Sequence, residues 1–161
     1  MRGYVYHLCV AGMCVAALGG LPWASVWAGT GHAHVHPTEG PHHGSLIELG
    51  REEYHAELVH DHRAGSVTIY ILDGAAAASV PTTAKQAMLN LVVAGKPRQF
   101  RLTPVVQPAD PAGTASAFAG TGDDLCRAID AKDLEGRLNV EIAGKIYTGG
   151  VGPQSHSHAH D

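Results

Sequence analysis

The sequence contains few aromatic residues, few cysteines and no excess of positive charge, and each shortage excludes a class of protein. Aromatic residues make up 6% of the 161 positions, and 11 Lys and Arg stand against 15 Asp and Glu. With a net charge of −4, the chain lacks the basic surface that nucleic acid requires, so we expect no nucleic acid partner. The hydrophobic fraction of 45% is sufficient for one domain with an ordinary core, but the chain is too short for a multidomain enzyme.

Motifs of the common enzyme classes are also missing. The sequence has no Gly-x-Ser-x-Gly elbow, no Walker loop, no dinucleotide-binding glycine fingerprint and no His-Glu-x-x-His zinc-protease motif. We therefore predict that the protein is not an enzyme.

The first 28 residues have the composition of an export signal. Arg2 precedes an apolar run over residues 4–21, and Val26-Trp27-Ala28 places small residues at the two positions that a signal peptidase reads. We interpret residues 1–28 as a cleaved signal peptide, which predicts a periplasmic or extracellular protein. An uncleaved membrane anchor is the alternative, because the run nearly reaches the ~20 residues of a spanning helix; membrane contact would then be made by this segment alone. Cys126 is the one cysteine after this segment, so an internal disulfide is excluded.

Short stretches of alternating apolar residues predict an all-β domain over residues 44–151. Period-two alternation is typical of half-buried strands. The clearest apolar positions are Tyr54, Ala56 and Leu58; Val67, Ile69 and Ile71; Leu89, Leu91 and Val93; and Leu138, Val140 and Ile142. About seven such strands, separated by turn residues, favour a small antiparallel immunoglobulin-like β-sandwich, with a small β-barrel as the alternative. One helical turn is expected after Asp123 and Asp124.

Histidine is the residue in excess, and half of the 12 histidines form two alternating triplets outside the predicted domain. Residues 29–43 and 152–161 have little apolar content and are predicted to be flexible. The triplets are His32, His34 and His36 in the first segment, and His156, His158 and His160 in the second. Alternate side chains of an extended chain project to one side, so neighbouring imidazoles can bind one ion. Imidazole suits Zn²⁺, Cu²⁺ and Ni²⁺, which are the expected ligands; a low-complexity tail without a ligand is the alternative.

A second group of metal-ligand candidates lies within or next to the predicted domain. These residues are His42 and His43 before the first strand, His55 and Glu57 on the polar face of the second strand, and His60 and His62 at its end. Three or four of them meeting in space would suffice for a tetrahedral zinc site. The structural alternative is that they belong to the polar outer face that an antiparallel sheet ordinarily has.

Two short resemblances accompany these residues. The segment Gly40-Pro41-His42-His43-Gly44-Ser45-Leu46-Ile47-Glu48-Leu49-Gly50, followed by Glu53-Tyr54-His55-Ala56-Glu57-Leu58, resembles uncharacterised exported bacterial proteins with His-rich ends. A shorter part is similar to the Pro-His-Gly-Gly region of the periplasmic adaptor subunits of heavy-metal efflux systems, with His43 in place of the first glycine. The resemblance implies an exported protein associated with metals, and it does not imply the transport role of the adaptors.

Together these features predict an exported protein that captures or buffers divalent transition metals. The His-rich ends would bind Zn, Cu or Ni, and the domain would either carry a His/Glu site or serve as a scaffold. Besides metal ions, a metal-efflux protein or another exported protein is a candidate partner. The alternative is a non-enzymatic β-sandwich module that binds a protein and carries incidental His-rich tails.

Overall fold

The computed structural model of the protein describes residues 38–152, which form eight strands and one short helix. In chain order the elements are β1 (Ser45–Leu49), β2 (Tyr54–Asp61), β3 (Ser66–Asp73), β4 (Ala87–Val93), β5 (Lys96–Val105), β6 (Ala117–Thr121), α1 (Asp123–Ile129), β7 (Glu135–Ile142) and β8 (Lys145–Val151). The predicted signal peptide and both histidine triplets lie outside the described residues. No helix within residues 38–152 is long and apolar enough to cross a membrane.

The strands form one antiparallel sheet in the order β1-β2-β3-β6-β5-β4-β7-β8. The long strand β5 joins its two halves, because residues 96–102 pair with β4 and residues 103–105 pair with β6. The outermost strands β1 and β8 also approach each other, and the Gly50 amide donates to the Thr148 carbonyl oxygen over 3.4 Å. The all-β prediction is confirmed, and the nearly closed sheet corresponds to the small barrel rather than to the immunoglobulin-like sandwich. Strand count and alternation are the same for both, so continuity through β5 decides between them.

The interior of the sheet is filled by the apolar side chains that alternate along the strands. In β2, Ala56 and Leu58 point inward, and both belong to the same buried cluster as Ile69 and Phe118. Helix α1 covers one end of this core, where Leu125 and Ala128 are buried. The helix is short, with acidic residues in its first turn, as the sequence predicts. One end of the barrel is thus closed by a helix whose carboxyl end lies near the end of β2.

A cluster of polar residues joins the start of β2 to β8. The Tyr147 hydroxyl donates to Glu53 Oε2 over 2.6 Å, and Lys145 Nζ lies 3.3 Å from both Glu53 oxygens. The hydrogen bond from Tyr147, followed by that from Lys145, lowers the pKa of Glu53 below its ordinary value. The ionised carboxylate therefore links the turn between β1 and β2 to β8 and supports the closure of the sheet.

Replacing Glu53 with glutamine is expected to lower the melting temperature at pH 7, because the amide keeps an acceptor for Tyr147 but loses the charge that attracts Lys145. A carboxyl group whose pKa is lower in the folded state stabilises that state above its unfolded pKa, and the effect disappears as the pH falls through the folded pKa. The difference in melting temperature between the wild type and E53Q should therefore vanish in strongly acidic solution. Thermal unfolding followed by circular dichroism at falling pH, with the exposed Glu141→Gln as control, measures this; a difference that does not shrink as the pH falls below 4.5 would contradict the prediction.

Candidate metal centre

Three side chains that can bind a metal meet where β2 and helix α1 end. His60 is the second-last residue of β2, and its side chain lies on the core-facing side of the strand. It pairs with the buried Val67 of β3. His62 follows on the turn that leads to β3, and Asp130 is the residue that ends α1. The tight β2–β3 hairpin places the two imidazoles side by side, and the packing of α1 against the core brings the carboxylate to them.

The donor atoms of these residues are close enough to share one ion. His60 Nδ1 lies 3.0 Å from Asp130 Oδ1, and His62 Nδ1 lies 3.9 Å from Asp130 Oδ2. The two imidazole rings are 4.0 Å apart, and one donor atom from each of the three residues lies within 4.8 Å of the other two. Ligands of a tetrahedral zinc ion lie about 3.3 Å from one another, given bond lengths near 2.0–2.1 Å. Small side-chain movements would therefore place all three donors around one ion.

His60 also has an unsatisfied ring nitrogen. Its side chain is only 9% exposed, and its Nε2 atom is buried without a hydrogen-bond partner. A buried polar atom without a partner costs about 1–3 kcal/mol, and an unpaired atom of this kind is often explained by an ion or a water molecule. Because Nδ1 is the atom that faces Asp130, Nε2 points to the other side of the ring, and an ion held between the three donors would not contact it.

The charge around the two histidines favours a cation. Asp61 lies between them in the chain, and the backbone amides of Ala64 and Arg63 lower its pKa; the neighbouring imidazoles act in the same direction. Asp61 and Asp130 together contribute two negative charges beside two imidazoles. When the imidazoles are neutral, as metal binding requires, these charges balance those of a divalent ion.

Asp130 is the ligand candidate that the sequence analysis missed. It comes 70 positions after His60, so no local spacing connects the two residues. One signal was present: an acidic residue at the carboxyl end of a helix is unfavourable for the helix dipole, which prefers cations there. A local conflict of this kind often marks a functional residue.

A different pair of the predicted ligands forms a buried clasp on the opposite side of β2. Glu57 is completely buried, and its Oε1 accepts hydrogen bonds from the backbone amides of His42, at 2.7 Å, and Gly44, at 2.8 Å. The His42 ring donates from Nδ1 to Glu57 Oε2 over 2.7 Å and stacks on Tyr70, with 3.7 Å between ring centres. Residues 40–44 thus hold the carboxylate with three hydrogen bonds, and we call this arrangement the Glu57 clasp.

Glycine is required for the chain to approach so closely. A Cβ atom on Gly40 would lie 2.4 Å from the Glu57 carboxyl carbon, and one on Gly44 would lie 2.4 Å from the Leu58 carbonyl oxygen. His43, between them, has a positive φ of 63°, which turns the chain over the carboxylate. The segment Gly40-Pro41-His42-His43-Gly44 is therefore explained here by the burial of Glu57.

The remaining predicted residues are spread over the same side of the sheet. His43 is exposed and its Nδ1 lies 2.6 Å from Glu39 Oε1, whereas His55 is 5% exposed with its Nδ1 3.3 Å from the Asp73 carbonyl oxygen. His55 and Glu57 do point away from the core, as the alternation predicts, but they are buried rather than on an exposed polar face. The reason for Glu57 is that residues 40–44 cover it. Glu53 precedes β2, and its side chain contacts β8.

The histidines of the domain consequently do not converge on one point. His60 and His62 come together with Asp130, His42 pairs with Glu57, and His43 and His55 have other partners. The six tail histidines, His32, His34, His36, His156, His158 and His160, lie outside the described residues. Among residues 38–152, the group of His60, His62 and Asp130 is the one set of three donors that could hold a metal.

Comparisons with known proteins add no family to this description. No protein-family model, no curated protein and no solved structure matches the chain. The resemblances noted from the sequence therefore stay predictions, and the candidate function depends on the geometry of the chain itself.

Proposed function

We propose that the protein binds a divalent transition metal at His60, His62 and Asp130. The observation that carries this proposal is the close approach of three donor atoms, all within 4.8 Å of one another, from the β2–β3 hairpin and from helix α1. Two imidazoles and one carboxylate form a donor set that suits Zn²⁺ and the neighbouring first-row ions. The negative charge of Asp61, beside the two imidazoles in the chain, favours the same cation.

Three protein ligands leave at least one position of the ion open to solvent or to another ligand. The site is also accessible, because the side chains of His62 and Asp130 are 73% and 49% exposed. An accessible ion with an open position can be exchanged, which fits capture and release better than a permanent structural role. We propose that the barrel holds an exchangeable ion and that the histidine-rich ends of an exported protein raise the number of ions it captures.

The test separates the barrel site from the tails within the full chain. Alanine replaces the six tail histidines, which leaves the described part of the chain unchanged; these are His32, His34, His36, His156, His158 and His160. Titration of this tail variant with Co²⁺, followed by visible absorption, should give one equivalent with the intense bands of a four- or five-coordinate ion. Zn²⁺ should displace the Co²⁺, and the unmodified chain should bind additional equivalents.

Matched variants assign the signal to the site. In the tail variant, the double change of His60 and His62 to alanine should abolish the Co²⁺ bands, whereas the change of His55 to alanine should leave them intact, because His55 belongs to no donor group of residues 38–152. Absence of stoichiometric binding by the tail variant, with the fold preserved by circular dichroism, would overturn the proposal. Binding by the unmodified chain alone would assign metal capture to the tails and leave the barrel as a scaffold or a protein-binding module.

A further inference from the structure

Asp61 organises the turn that carries His62. Its Oδ1 accepts hydrogen bonds from the backbone amides of Arg63, at 2.8 Å, and Ala64, at 3.0 Å. This is the side-chain-to-backbone pattern by which aspartate fixes a turn. The bonds start one residue before His62 and end two residues after it, so they determine the direction in which the His62 backbone runs.

The same turn is attached to helix α1, which supplies the third ligand. Gly65, with a positive φ of 59°, closes the turn, and its carbonyl oxygen accepts a hydrogen bond from the Gly122 amide over 3.3 Å. Gly122 is the residue that precedes α1, and Asp130 ends it. The position of the turn relative to the helix therefore sets the distance between His62 and Asp130.

Asp61 also places a negative charge beside the two imidazoles without pointing between them. It follows His60 and precedes His62, and consecutive side chains of a strand project to opposite sides. Its Oδ1 atom is engaged by two backbone amides of the turn, whereas Asp130 approaches both rings directly. The two aspartates thus have different tasks at one site.

We infer that Asp61 is a positioning residue of the metal site, which holds His62 in place through the turn and adds long-range attraction for a divalent cation. The inference rests on the proposed function, because it concerns the same site. It predicts two separable effects, one of geometry and one of charge. Asparagine at this position keeps the oxygen that accepts the two amide hydrogen bonds but removes the charge, whereas alanine removes both.

The experiment measures the dissociation constant of Zn²⁺ in the tail variant by competition with Co²⁺, at low and high salt. Asp61→Asn should weaken binding about fivefold at low ionic strength, and the loss should shrink in 0.5 M salt because an exposed charge is screened. Asp61→Ala should weaken binding about 10- to 100-fold at both salt concentrations, which is the range for residues that orient a metal ligand.

Asp73 provides a matched control. Its Oδ1 also accepts two backbone hydrogen bonds in another turn, from the amides of Ala77 and Ala78, four and five positions on, but no described metal donor group includes a residue of that turn. Asp73→Ala should lower the melting temperature about as much as Asp61→Ala and leave the Zn²⁺ dissociation constant unchanged. This comparison distinguishes positioning of a ligand from a general loss of stability.

The outcomes separate this inference from the proposed function. If the tail variant binds Zn²⁺ and both Asp61 variants bind it as tightly as Asp73→Ala, the inference is overturned and the metal site stands. If Asp61→Asn and Asp61→Ala lose the same affinity and both losses vanish in high salt, the residue acts by charge alone and its positioning role is overturned. If the tail variant binds no metal, the proposed function and this inference fail together.

Discussion

Replacing Glu57 with alanine is expected to destabilise the protein by several kcal/mol, because each buried donor left without an acceptor costs about 1–3 kcal/mol. The carboxylate is completely buried and accepts three hydrogen bonds from residues 40–44. Alanine would leave the amides of His42 and Gly44 and the His42 ring without an acceptor. Because the segment is held over the sheet chiefly by these bonds and by the stacking of His42 on Tyr70, we expect the Glu57 clasp to open.

A graded series tests this explanation. Glu57→Gln should lower the free energy of unfolding less than Glu57→Ala does. The amide oxygen of glutamine can still accept the two backbone hydrogen bonds, and its amide nitrogen can donate to Nδ1 of the other neutral tautomer of His42. Glu141, an exposed glutamate near the end of β7, provides the control, and Glu141→Ala should change the free energy of unfolding by less than about 0.5 kcal/mol. Urea unfolding at pH 7 gives the three values. A cost below 1 kcal/mol for Glu57→Ala would show that the clasp does not stabilise the fold.

The direction of the Glu57 side chain is predictable from the local sequence, whereas its burial is not. Alternation along β2 correctly predicts that Ala56 and Leu58 face the core and that Glu57 faces away from it, because side-chain direction is a property of the strand alone. Burial of Glu57 depends instead on a segment that precedes it by 13 to 17 residues and folds back over the sheet. The glycines at positions 40 and 44 were visible in the sequence, but their purpose becomes apparent only when the carboxylate lies beneath them.

The candidate site divides in the same way. His60 and His62 were predicted as candidates because they are neighbours at the end of a strand, and a hairpin keeps such neighbours together. Asp130 reaches them through a chain of long-range events, in which β3 pairs with β6 and the helix that follows β6 packs on the core. Each of these steps depends on contacts between residues far apart in the chain, and the periodicity of the sequence does not predict such contacts. The sequence favours a sandwich over a barrel, and this preference is wrong for a related reason, since the difference depends on how one strand, β5, pairs with both β4 and β6.

A metal ion bound at His60, His62 and Asp130 is expected to raise the melting temperature of the barrel. An ion that binds only the folded state stabilises it by about 2.7 kcal/mol when its free concentration is 100 times the dissociation constant. For a domain of this size, that gain corresponds to a rise in melting temperature on the order of 10 °C. We expect Zn²⁺ to produce this rise in the tail variant, because the ion would tie the β2–β3 hairpin to the end of helix α1.

Asp130→Asn provides the sharpest test, since it should separate the metal effect from ordinary stability. Without metal, Asp130→Asn in the tail variant should melt at or slightly above the temperature of the tail variant itself, because a negative charge leaves the carboxyl end of a helix, where the dipole disfavours it. With Zn²⁺, the rise should be lost or greatly reduced, because the carboxylate ligand is absent. Differential scanning calorimetry with and without Zn²⁺ measures both quantities on one sample. A full rise in melting temperature with Zn²⁺ in Asp130→Asn would exclude Asp130 as a ligand. A large fall in melting temperature without metal would mean that its contact with His60 stabilises the fold. An unchanged melting temperature without metal, together with the loss of the Zn²⁺ effect, is explained by neither helix packing nor surface charge alone.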